Sequence, residues 1–168
     1  MKKAKLIIDG KEIEVEITQE QLDKLCSQKK KTGYERMKHS QTFWFYNLYS
    51  IGDTWEDNTL ASNQMYESAN YYSDKTVAEN NARADKLMRQ LRRFAVEHRE
   101  QETNWTDKRL LKHSISYDMI TDTFILLASY SCKSVGTIYF YDTKTAWEAI
   151  DTFKDDLLWY FTEYKDSL

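Results

Sequence analysis

The sequence predicts an α+β fold: an antiparallel sheet packed by two long amphipathic helices, with an N-terminal ββα appendage. Strand-like alternation and short turns gather in three regions, 4–17, 42–56 and 110–141. Two other stretches, 75–102 and 144–164, carry apolar residues at helical spacing. At 168 residues the chain suits one domain with a small appendage, burying close to ~70% of its unfolded surface.

In the appendage, AKLII and EIEVEI flank Asp9-Gly10, a pair that favours a tight hairpin because glycine accepts positive φ. Ile13, Val15 and Ile17 alternate with Glu12, Glu14 and Glu16, the pattern of a half-buried antiparallel strand. Thr18 stands three residues before Gln21, a capping-box spacing, and Leu22 and Leu25 mark one face of a helix over 19–27. This head, 1–28, is followed by a linker at 29–33, where Lys29, Lys30 and Lys31 repel one another and Gly33 loosens the chain. The body is 34–168. The head either docks on it or pairs chains into a homodimer.

The body opens on QTFWFYNLYS, five aromatic rings in ten residues. As a strand it places Phe43 and Phe45 on one face and Trp44 and Tyr46 on the other. Phe43 and Phe45 are read as core; Trp44, Tyr46 and Trp55 are read as partner contacts, an assignment that a one-residue slip reverses. A nucleic-acid stacking platform needs basic residues among the rings, and 40–60 has none while Asp53, Glu56 and Asp57 follow. Residues 57–70 read as a polar loop.

Ser73 or Asp74 caps the long helix, in which Val77, Ala84, Met88, Leu91 and Ala95 form the buried stripe. Away from it stand Arg83, Lys86, Arg89, Arg92, Arg93 and Arg99. Strands 110–118 and 123–131 make a hairpin across MITD, and a third strand, 136–141, follows. Asp142 or Thr143 caps the last helix, with Ala146, Ile150, Phe153, Leu157 and Phe161 inside and Glu148, Asp151, Asp155 and Asp156 outside. YYSDKTVA and YFYDTKTA share the step from aromatic strand to Asp-capped helix.

No catalytic constellation is visible. His39, His98 and His113 stand apart from one another and from the cysteines, so no metal spacing arises. There is no glycine-rich phosphate loop and no nucleophile elbow. Cys26 and Cys132, 106 positions apart, suit idle thiols in a reducing cytosol. The opening MKKAKLIIDGKE turns charged too soon for a signal peptide, and no apolar run nears the roughly 18 residues that cross a bilayer. These readings predict no enzyme, no cofactor and no metal. A net charge of −3 argues against a general nucleic-acid coater. Lys86, Arg89, Arg92 and Arg93 are the candidate binding residues, for an acidic protein surface or for phosphates, with a solvated face or pairing to the acidic last helix as the plain alternative.

IDGKEIEVEITQEQLDKL, KTGYER, NYYSDKTVAE and GTIYFYDTKTAWEAIDTFKDDLLWYF together resemble a group of small accessory proteins from phages and prophages of Gram-positive bacteria. The chain departs from the group's pattern around TLASNQMYESAN. The resemblance implies a counter-defence protein of the host bacterial cytoplasm. In its sharpest form this is an anti-CRISPR protein that binds a type II RNA-guided nuclease without catalysis. The alternative is a nucleic-acid-binding accessory protein using the helix around 83–99.

Overall fold

The computed structural model describes residues 2–8, 11–18, 21, 31–47, 50–100, 104–107 and 109–164. Over these the chain is α+β: three antiparallel hairpins and four helices. The first hairpin joins β1 (Lys2–Ile8) to β2 (Lys11–Ile17), with Lys2 opposite Ile17 and Ile8 opposite Lys11. The capping box forms as spaced: the Thr18 N–H donates to Gln21 Oε1 at 2.9 Å and the Gln21 N–H to Thr18 Oγ1 at 3.1 Å. The rest of the expected 19–27 helix lies outside the described residues, as do Cys26 and the first two residues of the lysine linker, Lys29 and Lys30.

β3 (Thr42–Tyr46) pairs with β4 (Ile51–Trp55), Thr42 opposite Trp55 and Tyr46 opposite Ile51. On the free side of β3, Trp44 and Tyr72 exchange N–H···O bonds of 2.8 Å each. The Asn70 amide takes the next place, accepting from the Tyr46 N–H at 2.7 Å and donating to its carbonyl at 2.8 Å. Phe43 is fully buried and stacks on Tyr71, ring centres 3.9 Å apart and planes 15° from parallel. Between β4 and Tyr71, where a loop is expected, the chain forms α1 (Leu60–Glu67), with Thr59 as its N-cap.

Asp74 caps α2 (Lys75–Glu97), accepting from the N–H groups of Thr76 and Val77 at 2.8 and 3.2 Å. β5 (Lys112–Asp118) and β6 (Thr123–Ser129) form the third hairpin, Lys112 opposite Ser129 and Asp118 opposite Thr123. The expected third strand, 136–141, shrinks to one bridge: the His113 N–H donates to the Phe140 carbonyl at 2.9 Å and the Phe140 N–H to the His113 carbonyl at 2.7 Å. It stops there because Asp142, two residues on, already caps α3 (Thr143–Thr152). The last helix is two helices: Phe153 breaks the run at φ −115°, and α4 (Lys154–Thr162) follows. Phe153 turns edge-on to Phe94 of α2, so the apolar spacing continues through the break.

The expected single sheet over 42–56 and 110–141 is thus corrected to separate two-stranded hairpins. Each body hairpin has its first strand closed by the residue that leads into its own helix, which leaves no length for a shared ladder. α2 runs against β3–β4 and against α3 and α4, and α3 in turn lies on β5–β6. Leu87, Leu91 and Ala95 meet Phe140, Ala149, Ile150 and Leu157 in the main core, with Ile115, Phe124 and Leu126 packed on it.

Gly33 is also corrected, from linker to body. It is buried at φ +88°, a Cβ there would sit 2.6 Å from Val77 Cγ2, and its carbonyl accepts from the Ser73 N–H at 2.8 Å.

Candidate binding surface

At about 100° per residue, Lys86, Arg89 and Arg93 fall within a ~60° arc of α2 opposite its buried stripe, and Arg92 flanks them. All four are exposed. Arg93 leans on Glu97 at 3.8 Å, a partly solvated helix pair. Among the described residues no hydrogen bond or ion pair engages Lys86 or Arg92. Asp156 of α4 holds Arg83, which donates from Nε and Nη2 to its Oδ1 at 3.0 and 2.8 Å and lies 4.0 Å over the Trp159 ring. The helix therefore spends one cation on internal packing and turns the next four residues of like charge outward.

The β3–β4 register puts Trp44 and Tyr46 on the face shared with Ile51, Asp53 and Trp55. Tyr46 lies at the α2 end of the hairpin, its ring 5.8 Å from the Arg89 guanidinium. Trp55 lies at the other end, on the order of 13 Å away along the strand, and is 65% exposed. Trp44 and Tyr46 are half-buried. The structure thus brings Tyr46 and Arg89 together beside Lys86 and Arg93, and separates Trp55 from that group.

The least expected polar site lies under the hairpin. Glu56, read from sequence as part of an acidic surface turn, is fully buried. Arg36 Nε reaches its Oε2 at 3.2 Å and Nη2 its Oε1 at 3.4 Å. The Tyr71 hydroxyl donates to Oε2 at 2.9 Å, while the Ser62 hydroxyl and the Asn58 N–H each reach Oε1 at 2.8 Å. Burial alone would raise the Glu56 pKa; Arg36 and the other donors outweigh it and hold the carboxyl at about 2. Burial pushes the Tyr71 phenol up to about 12, against a 3.0 Å bond from the Met37 N–H. Arg36 also bonds Asn63 of α1 and lies 5.3 Å from the Tyr66 ring. These groups bond to one another, so the network holds 34–41, α1 and Tyr71 against the hairpin. Nothing in the spacing of Arg36 and Glu56 marks them as partners.

Other chemistry is sparse. An apolar cleft of about 280 Å³ between α2, β5 and α4 offers only Thr137 and Tyr160 hydroxyls among its side chains. Cys132 is exposed. Among the described residues no group of three His, Cys, Asp or Glu is placed to hold a metal, and no helix is long and apolar enough to cross a membrane. The chain matches no family model, no curated protein and no solved structure. To a partner the surface offers arginine forks and a lysine beside an aromatic ring, a mixture suited to carboxylate or phosphate groups.

Proposed function

We propose that this chain is a non-catalytic binding protein that grips an acidic macromolecular surface with the outward face of α2. Lys86 and Arg92, which no hydrogen bond or ion pair engages among the described residues, are the observation that carries it. An unpaired cation on a rigid helix gives up no internal bond when it meets a carboxylate, whereas Arg83 would have to leave Asp156. Tyr46 adds an amphipathic ring next to Arg89, and interfaces favour Tyr and Arg. From the resemblance to phage accessory proteins we take the partner to be a bacterial immune effector, in its sharpest form a type II RNA-guided nuclease, blocked by contact in the host cytoplasm.

Co-expression with that nuclease and a targeted plasmid tests this. The wild-type chain is expected to restore plasmid survival and to co-purify with the nuclease. K86E/R92E is expected to lose both, with a Kd raised at least about tenfold, since rim charges set encounter and opposed charges repel. Unchanged interference with the wild-type chain would remove this partner.

The same basic face, Lys86, Arg89, Arg92 and Arg93, supports a second reading, nucleic-acid binding. With four phosphate contacts, log K would fall against log salt with a slope of about −3.6. A low-salt shift assay with no retarded DNA or RNA removes that reading.

A further inference from the structure

We infer that β6 pairs edge to edge with β6 of a second copy, joining two hairpins into one four-stranded antiparallel sheet. β6 is the unguarded edge of this fold. Its sequence TFILLAS has no charge and no proline, whereas β4 carries Asp53 and β1 and β2 carry several Lys and Glu. Its outward face shows Ile125 and Leu127, the latter 52% exposed, and the adjoining turn shows Ile120 at 95%.

The hydrogen-bond pattern says which groups are open. His113 spends both its N–H and its C=O on Phe140, away from β6, so His113 and Ala128 are a non-hydrogen-bonded pair. Alternation then turns the N–H and C=O of Phe124, Leu126 and Ala128 to the open edge. Among the described residues none of these groups is bonded.

That set is self-complementary. A second copy set antiparallel about a two-fold axis at Leu126 places Phe124 opposite Ala128, Leu126 opposite Leu126 and Ala128 opposite Phe124. Every open donor then meets an open acceptor. Between them Ile125 falls opposite Leu127 in a non-hydrogen-bonded pair, where side chains approach most closely. The same register lays the turn bearing Ile120 and Asp122 beside the segment bearing Tyr130 and Lys133, so an acidic end meets a basic one. An unrelated strand would satisfy the edge but would not reproduce this match at both ends.

Sedimentation across micromolar to millimolar concentrations, with amide exchange on the full chain, tests it. The expected result is a monomer–dimer equilibrium in which the amides of Phe124, Leu126 and Ala128 gain protection with concentration, while those of Ile125 and Leu127, bonded to β5, are protected throughout. L127K, at an exposed position, is expected to raise the dimer Kd at least about tenfold. A128P removes only an outward N–H and serves as the second variant. A chain that stays monomeric throughout, protection of those amides only when another protein is added, or a dimer indifferent to both variants overturns the inference.

Discussion

Glu56 is a carboxylate with no exposed surface and five hydrogen bonds around it. Removing such a charge strands its partners; Arg36 is partly exposed and can recover water, so E56Q is expected at the lower end of the range for broken buried pairs, about 3 kcal/mol. The folded-state pKa is depressed from 4.5 to about 2, so the bound proton favours the unfolded chain. The stability this group adds is complete above about pH 4.5 and disappears as pH falls toward 2. Thermal unfolding followed over that window should show a steep wild-type loss that is shallower in E56Q; equal slopes would contradict the assignment. Gly33 supplies a second residue-scale prediction. G33A forces an L side chain to φ +88° and into Val77, costing about 2 kcal/mol or more. V77A in the same chain should return the steric part and leave the backbone part. Neither residue was legible: Glu56 stands in a run of surface-like polar residues, and Gly33 follows lysines that suggest a linker.

At the scale of elements, the sequence reading succeeded where local chemistry decides the outcome. The strand pairing of the first hairpin, the Thr18–Gln21 box, the start of α2 and the caps at Asp74 and Asp142 stand where residue type and spacing put them, while α2 ends at Glu97, short of the expected 102. The two strand-to-helix junctions are alike in three dimensions: Tyr72 bridges β3 two residues before Asp74, and Phe140 bridges β5 two residues before Asp142. D74A and D142A should each lower stability by about 1 kcal/mol, and the double variant by nearly the sum, read by denaturant unfolding. The reading failed where tertiary contacts decide. α1 has little apolar periodicity and is held by Thr59 and by Ser62 on Glu56, so its sequence looks like loop. The break at Phe153 was invisible because Ile150, Phe153, Leu157 and Phe161 keep helical spacing across it. The third strand ended early because Asp142 serves the helix instead.

For the whole molecule, α2 is the shared wall: its inner side meets β3–β4 and the closing helices, with the β5–β6 side chains packed on the same core, and its outer side is left to Lys86, Arg89, Arg92 and Arg93. The candidate residues were half legible. Charge and period located the basic face, but only the fold shows that Arg83 is consumed by Asp156, that Arg89 rests beside Tyr46 and that Trp55 stands apart. If the outward α2 charge is the contact surface, reversing it must weaken binding while reversing charge on the opposite side must not. K86E/R92E and a control reversal on the acidic helices, D151K/D155K, are each titrated against the co-purified partner at fixed salt. The first is expected to lose binding at least about tenfold and the second to retain it; equal affinities, or loss in the second alone, would mean that another surface makes the contact.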